Sequence, residues 1–530
     1  MDRREFMKTP VQGALAASLL QGQPAEARTG ATKPPPNILF IMADQMTPFM
    51  LGPYGQKVAH TPNLDQLARA GTVFESAYCA SPLCVPSRIG MFTGRLPHKT
   101  EGYDNGSEFA AHFPTYIHYL KRAGYRTAVA GKCHFIGPDQ MHGFDERLTP
   151  DIYHATFSML FDWRLGPIFN PGTSVEAQLR MLGPSKWTPQ LGYDQMTFDR
   201  AMAWLAEYSM RPNPRPPVFL NVSFTQPHDP FTTTQEFLDV YKDADIPLPQ
   251  DYGDIRQLSP TYAWFEIHHG INRVKLTPDK IREARRNYLG MISWVDDRVG
   301  KLLAELRRLQ LDQDFVVFFA SDHGEMLGEH HQWSKRLMLE WSSRVPLIVS
   351  APGRLPEGKR VSTPVSLLDL FPTFAEVANV PVDTEVDGLS LLPLLHGQES
   401  SDARPVIAEY LGQGTIEPIR MVRWGQYKYI TVNGYPPQLY DLQADPNETV
   451  NVAGRPERSS VEAQLRQFAE KDWDGPAIKK AVMKNQQDHL MVRSVKGDGI
   501  VPDWNFEPVE TGPYDPLTDF AAKGYESWKR

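Results

Sequence analysis

Five short stretches of the chain are apolar almost without interruption: 37–43, 126–130, 218–224, 315–320 and 345–350. A strand wetted on one face alternates apolar and polar residues, so an unbroken run predicts a strand covered on both faces. Between the runs the apolar spacing lengthens to that of a helix. The segment 62–70 opens on Pro62 and stops at Gly71; 114–123 opens on Pro114 and stops at Gly124. The long segment 277–309 opens Thr-Pro-Asp-Lys, and 367–380 is a further amphipathic stretch. Proline just inside a start and glycine just past an end are the expected punctuation of helices. Buried strands alternating with helices predict an α/β fold, with a large, mixed but mostly parallel sheet sandwiched by helices over residues 34–400.

Beyond that point the pattern changes. Residues 421–432 alternate and carry a turn, which predicts a hairpin within a small antiparallel α+β subdomain over 401–475. Residues 476–530 form a tail. A short helix is expected from Ala477 to about His489, and an extended segment after Lys496, where Pro, Gly and Asp collect. Trp504, Phe506 and Tyr514 predict that this tail packs on another surface. At the other end, residues 1–30 combine a basic head, an apolar body from Val11 to Leu20 and an Ala25-Glu26-Ala27 site. This is the pattern of a secretory signal, and Arg3-Arg4 resembles a twin-arginine signal, which predicts bacterial export to the periplasm or beyond. No apolar run is long enough to span a membrane.

Charge narrows the partners. Lys and Arg number 55 against 63 Asp and Glu, a net charge of −8, which argues against a nucleic-acid binder. Any bound anion must be held by a local cluster of cations. Three cysteines, Cys79, Cys84 and Cys133, cannot build a disulfide framework.

In open α/β sheets ligands collect at the carboxyl ends of the strands. The first run ends at Asp44-Gln45, the second at Gly131-Lys132-Cys133-His134, the third at Thr225-Gln226-Pro227-His228, the fourth at Ser321-Asp322-His323. Asp44, Gln45 and Asp322 are hard oxygen donors suited to Ca²⁺, with Mg²⁺ or Mn²⁺ as alternatives; His323 is a nitrogen neighbour or a partner of the ligands.

The segment Cys84-Val85-Pro86-Ser87-Arg88, followed by Thr93-Gly94-Arg95, resembles the C-x-P-S-R…T-G-R signature of type I sulfatases in the alkaline phosphatase-like superfamily. The resemblance runs from Asn37 to about Val452 and includes Ser321-Asp322-His323-Gly324-Glu325 and Leu439-Tyr440-Asp441-Leu442. It implies that Cys84 is oxidised by a formylglycine-generating enzyme, and that the hydrated aldehyde attacks a sulfate ester. It further implies that Arg88 orients the diol, that Lys132 and Lys335 hold sulfate oxygens, that His134 assists collapse of the diol, and that His228 protonates the leaving oxygen. Asn105 is implied as a further sulfate contact.

Within the family the chain is most similar to choline sulfatases, for example in 76–84, 137–140 and 142–148. That branch implies a tail reaching a neighbouring subunit, hence a homo-oligomer. The residues expected to cage a quaternary ammonium differ here: Met159 stands where a Trp is expected, Gln413 where an acid is expected, and Asn170-Pro171-Gly172 replaces a Tyr-His-Asn run. Loss of a π-face and a charge favours a neutral alcohol or carbohydrate sulfate over choline sulfate. A phosphonate monoester hydrolase or phosphodiesterase, and a non-catalytic periplasmic binding protein, are the other readings.

Overall fold

The computed structural model describes residues 35–398 and 404–496. The expected signal segment and the tail beyond Lys496 lie outside the described residues. Pro35 onward forms one compact unit built on an eight-stranded sheet. Its strands are β1 (Asn37–Ala43), β2 (Thr72–Phe74), β3 (Arg126–Gly131), β4 (Glu146–Arg147), β5 (Val218–Ser223), β6 (Phe315–Ser321), β7 (Leu347–Ser350) and β8 (Lys359–Val361). They are ordered β8-β2-β7-β6-β1-β5-β3-β4. Strand β1 is parallel to β5 and β6, and β3 is parallel to β4 and β5, while β7 runs antiparallel to both β6 and β2. The sheet is therefore mixed and mostly parallel.

The unbroken apolar runs are explained by two cores. Along β1, Leu39 and Ile41 enter one core while Ile38, Phe40 and Met42 enter the other. Strand β6 divides likewise, with Val317 and Phe319 on the first side and Val316 and Phe318 on the second. Helices α1 (Pro62–Arg69), α4 (Pro189–Ser209) and α5 (Pro278–Arg308) cover the first face. Helices α2 (Cys84–Thr93), α3 (Tyr116–Arg122) and α6 (Leu370–Val377) cover the second. Phe374 of α6 centres an aromatic cluster with Phe40, Tyr116, Phe219 and Phe318, at centroid distances of 4.9–5.6 Å. The Thr-Pro start of α5 behaves as its residues predict: Thr277 accepts from the Lys280 amide at 3.2 Å, and Pro278 opens the helix.

Four antiparallel strands follow: β9 (Val406–Tyr410), β10 (Ile419–Trp424), β11 (Tyr427–Val432) and β12 (Gln438–Asp441). The expected hairpin is β10 and β11, joined through Gly425, whose φ is +56°. One face of this sheet packs with Val422, Tyr429 and Leu439 against α7 (Ser459–Glu470), and the other with Ala408, Met421 and Ile430 against Leu83, Met338 and Leu339. The helix expected from Ala477 to about His489 runs longer, as α8 (Gly475–Lys496), so the first part of the 476–530 segment is helical and not extended. It is anchored at Val482, buried beside Tyr103 and Trp163, and at Gln486, which accepts from the Trp163 amide at 3.0 Å.

A buried charge cluster joins the small sheet to the large unit. Lys428 of β11 donates to the Met338 carbonyl at 2.9 Å and pairs with Glu340 at 2.7 Å and Glu448 at 2.8 Å. One ammonium cannot neutralise two carboxylates. Glu340 also accepts from the Tyr78 hydroxyl at 2.9 Å. Burial opposes its charge, but Lys428 and then Arg344 bring its pKa down to about 2. Burial pushes Glu448 up to about 7, with Lys428 pulling against it. A carboxyl whose pKa rises on folding stabilises fully below its unfolded pKa, and that contribution is lost as pH climbs through the folded value. Glu340, shifted the other way, contributes above its unfolded pKa and loses its share only on further acidification. The protein should therefore lose on the order of 1–3 kcal/mol from Glu448 between about pH 4.5 and 7, and Glu448→Gln should flatten that decline. Denaturant unfolding at several pH values measures the slope; an identical slope in the variant would exclude this cluster as its source.

Candidate active site

The carboxyl ends of four adjacent strands, in the order β6-β1-β5-β3, face one locus. They deliver Asp322-His323, Asp44-Gln45, Thr225 to His228, and Lys132 to His134. Opposite them, α2 begins at Cys84. The side chain of Asn105 caps this helix, its Oδ1 accepting from the Val85 amide at 3.1 Å. The carbonyl of Asn105 is thus used for capping, which leaves its NH₂ group for any ligand. A thiol at a helix N-terminus sits at the positive end of the dipole.

Cys84, Asp44, Asp322 and His323 present ligand atoms that all lie within 4.8 Å of one another, and all four are buried. Cys84 Sγ is 3.2 Å from His323 Nε2 and 4.0 Å from Asp44 Oδ1. His323 Nδ1 is hydrogen-bonded to the Gly324 carbonyl at 3.0 Å, which fixes Nε2 as the free lone pair. Burial pushes this imidazole down to about 4, so it is neutral, the form that ligates metals. Two carboxylates, a neutral imidazole lone pair and the residue-84 side chain fit a divalent cation.

Arg88 holds the two carboxylates in place. Its Nε donates to Asp322 Oδ2 at 2.8 Å and its Nη2 to Asp44 Oδ2 at 3.1 Å, while Nη1 donates to the Lys132 carbonyl at 2.6 Å and to Ser223 Oγ at 3.0 Å. Every guanidinium nitrogen thus has a partner on the scaffold, so Arg88 positions the two acids beside residue 84. Burial works against the charge of Arg88, but Asp322 and Asp44 outweigh it and raise the pKa. Lys132 Nζ is paired with Asp44 and lies 4.5 Å from the centre of the Tyr153 ring. Burial opposes charge on Asp44, yet Lys132, His228 and Arg88 hold its carboxyl well below the ordinary range. Burial and Asp44 push the Cys84 thiol up; Lys132 and Lys335 more than reverse this.

Gln45 stands in the pocket with a different set of partners from those expected. Its NH₂ donates to Asp229 at 3.1 Å and to Glu325, and its carbonyl accepts from Lys335. Two carboxylates and an ammonium claim its side-chain amide, while its backbone amide donates to Asp322 Oδ1 at 3.1 Å. Its φ of +64° is rare for a residue with a side chain. Lys335 also lies 2.7 Å from His228 Nε2, and His228 Nδ1 donates to the Asp229 carbonyl at 2.7 Å. His134 stacks on Tyr153 at 4.4 Å, and both its ring nitrogens are buried without a hydrogen-bond partner. Burial, then Lys132 and Arg88, holds it far below its usual pKa, so it is neutral.

Met159 ends a short 3₁₀ turn, Phe157–Met159, and is half-buried. The turn packs on α8 through Phe157 and His489, 4.4 Å apart, and a side chain at Gly106 would meet Leu160 at 2.4 Å. Met159 thus borders the loop that carries Asn105. Gln413 is buried with its Oε1 unpartnered, and its carbonyl accepts from the Tyr410 hydroxyl.

The sequence names Ser87 and Ser321 within motifs without a role; here Ser87 donates to the Asp322 carbonyl at 2.6 Å, and Ser321 Oγ accepts from the Met46 amide at 2.8 Å. Other site residues escape the sequence altogether: Tyr153 stacks under His134 and Lys132. Asp194 of α4 accepts from the Thr225 and Gln226 amides at 2.7 and 2.9 Å, fixing the loop that leads to His228. Asp229 is findable by adjacency to His228, and Glu325 closes the motif that begins at Ser321. Asp194 was signalled only by the Thr188-Pro189 start of its helix, the same dipeptide that opens α5.

Residues 36–380 match the family described as Sulfatase, and residues 328–472 the C-terminal family of N-sulphoglucosamine sulphohydrolase. The chain is 36% identical over 499 residues to a choline-sulfatase of Rhizobium meliloti, covering 90% of this chain and 94% of that one. It resembles the crystal structure of a phosphonate monoester hydrolase of Agrobacterium radiobacter, with a TM-score of 0.67, 24% identity, and coverage of 86% and 96%. A structure in complex with its substrate D-glucosamine-2-N,6-O-disulfate gives a TM-score of 0.66, 23% identity, and coverage of 86% and 98%.

Proposed function

The chain belongs to the sulfatase family and is a sulfuric ester hydrolase; from that premise we propose that Cys84, oxidised to formylglycine, is its nucleophile and that its substrate is the sulfate monoester of a carbohydrate or other small alcohol. The observation that carries this reading is the convergence of Cys84 with two carboxylates and a neutral imidazole, where the charges of Lys132 and Lys335 act on the thiol. Asp44, Asp322 and His323, with residue 84, would hold a divalent cation, Ca²⁺ by their largely hard oxygen donors, which would acidify a residue-84 hydroxyl and favour charge on sulfate oxygens. Formylglycine would supply a geminal diol, one hydroxyl attacking sulfur and the other expelling sulfate as the aldehyde returns.

The remaining steps belong to the chain itself. Lys132 and Lys335 are fixed cations beside the position of the sulfate, where a preorganised charge acts without reorganisation. His134 has two unpartnered nitrogens, and as a neutral base it would take the proton of the second hydroxyl. His228, anchored through Nδ1, would pass to the leaving oxygen a proton taken up at Nε2, where the Lys335 ammonium stands 2.7 Å away as its source. His228→Gln should then lower kcat for an alkyl sulfate by about 10²–10⁴-fold and for 4-nitrophenyl sulfate, whose leaving group needs no proton, far less. Equal losses on both esters would refute the acid role.

The alcohol is supported by Met159 and Gln413, which offer a thioether and an amide where a cationic headgroup wants aromatic faces and a carboxylate. A disulfated glucosamine is the named substrate of one structural neighbour, whereas choline sulfate is implied by the name of the 36%-identical relative. Sulfate release should be measured on sulfated sugars, choline sulfate, an aryl sulfate and a phosphonate monoester. Preference for a sugar supports the reading; a faster rate on choline sulfate or on the phosphonate overturns it. The export signal predicts a periplasmic or secreted enzyme, and the tail a homo-oligomer. Light scattering before and after deletion beyond Asp498 tests the latter, and assembly undiminished by the deletion would remove the tail from it.

A further inference from the structure

The most enclosed arginines among the described residues are Arg88, Arg285 and Arg336. Arg88 pairs with Asp44 and Asp322, and Arg285 pairs with Glu329. Arg336 makes no ion pair among the described residues, although its charge helps to hold the buried Asp229 carboxyl below its usual range. Its Nη1 lies 3.1 Å from His269 Nε2 and 3.1 Å from Ser334 Oγ, while Nε and Nη2 are buried without a hydrogen-bond partner. These two nitrogens form one side of the planar fork, the side that engages an oxyanion through two parallel hydrogen bonds. A buried charge that lacks a partner is costly to keep, so a partner supplied by a ligand would explain it.

The surroundings strengthen the point. His269 accepts from Arg336 at Nε2, which places its proton on Nδ1, another buried atom without a partner. Burial, then Arg336, keeps both His268 and His269 neutral, so Arg336 is the permanent cation there. The Oε1 of Gln413 is a buried, unpartnered acceptor of the kind a sugar hydroxyl satisfies. Tyr410 links them: its hydroxyl donates to the Gln413 carbonyl, lies within side-chain hydrogen-bonding reach of Arg336, and feels the charges of Arg336 and Cys84. The Arg336 amide donates to the Pro82 carbonyl at 3.0 Å, two residues before Cys84, and Lys335 precedes it in the chain. The backbone is held in a rarely used conformation, with φ of +92° at Arg336 and +66° at Ser334.

We propose that Arg336, with His269 and Gln413, forms a second oxyanion subsite beside the sulfate site, so that the preferred substrate is a sulfated carbohydrate bearing another anionic group, a carboxylate or a second sulfate. The proposal rests on the sulfatase reading above and narrows its alcohol. It also predicts poor use of choline sulfate, whose quaternary ammonium would face a fixed guanidinium.

The test compares kcat/KM for a monosulfated neutral sugar, the matching sulfated uronic acid and the matching disulfated sugar, in wild type, Arg336→Met and Arg336→Lys. Arg336→Met should lose about 10- to 100-fold on one dianionic substrate, with little change on the neutral one. The substrate that suffers identifies the anion. Arg336→Lys should recover part of the loss on a second sulfate and little on a carboxylate, because a point charge replaces the fork. Equal losses on all three substrates would overturn the subsite. Should no ester release sulfate, the sulfatase reading itself fails, and the subsite is judged separately by binding. Free glucuronate, but not glucose, should then raise the melting temperature of wild type and not of Arg336→Met, and an equal response to both sugars would overturn it.

Discussion

Sulfate release should fall by at least about 10⁴-fold when Cys84 is replaced by alanine, and by a similar factor with serine. Alanine removes the atom that reacts. Serine keeps a hydroxyl in the same place, between His323 and Asp44, but lacks the second hydroxyl through which sulfate would leave. Cys84 makes no strong hydrogen bond that holds the fold, so Cys84→Ala should cost only about 1–2 kcal/mol of stability. Wild-type protein made without a formylglycine-generating enzyme should be as inactive as the alanine variant, and mass spectrometry of the Cys84 peptide should show an unmodified thiol. Substantial turnover by Cys84→Ala would end the formylglycine reading. A variant that still binds the sulfate ester and does not turn it over would separate an enzyme from a binding protein.

The second large effect is expected at Asp44. This carboxylate is shared by Arg88 and Lys132 and belongs to the group that would hold a cation. Asp44→Ala leaves Lys132 without its carboxylate and Arg88 with Asp322 alone. Breaking a buried pair from one side costs about 3–5 kcal/mol, and here two pairs lose the same member. Asp44→Asn keeps the shape and should cost less in stability while still abolishing tight divalent binding. Calorimetric titration of Ca²⁺ or Mn²⁺ into chelator-treated protein, together with urea unfolding, measures both. Unaltered cation affinity in Asp44→Asn would remove this residue from the metal site, and unaltered stability in Asp44→Ala would mean that the clamp contributes little.

Much of this was legible in the chain because the chemistry lies where regular structure ends. Runs such as 37–43 and 315–320 announce strands buried on both sides, and a polar residue that terminates such a run has few roles besides a turn or a site. Asp44, Asp322 and His323 were found in that way, and they meet at Cys84. What could not be read is how side chains share partners. Gln45 is an oxygen donor by type, but Asp229, Glu325 and Lys335 surround it and set its direction. Arg88 is named by its motif, yet its work as a clamp depends on two acids 44 residues before it and 234 after it. The helix α4 was missed because Asp194, Thr197 and Gly192 interrupt its apolar pattern; Asp194 is buried to hold a distant loop and not to serve the helix. Glu448 and Lys428 offer no local signal at all, since their meeting depends on how the small sheet folds back.

The position of Cys84 also bears on the order of events in the life of the protein. In the folded chain this thiol is closed in by α2, by the ends of β1 and β6 and by His323, with about 1% of its surface exposed. An enclosed thiol is out of a modifying enzyme's reach, so on the proposed route oxidation has to come before the sheet closes. Maturation then becomes a race between two clocks, the oxidation of one cysteine and the collapse of the strands around it. A molecule that folds first is trapped as a stable and silent isoform. The specific activity of a preparation would report on how slowly its chains folded as much as on how much modifying enzyme was present.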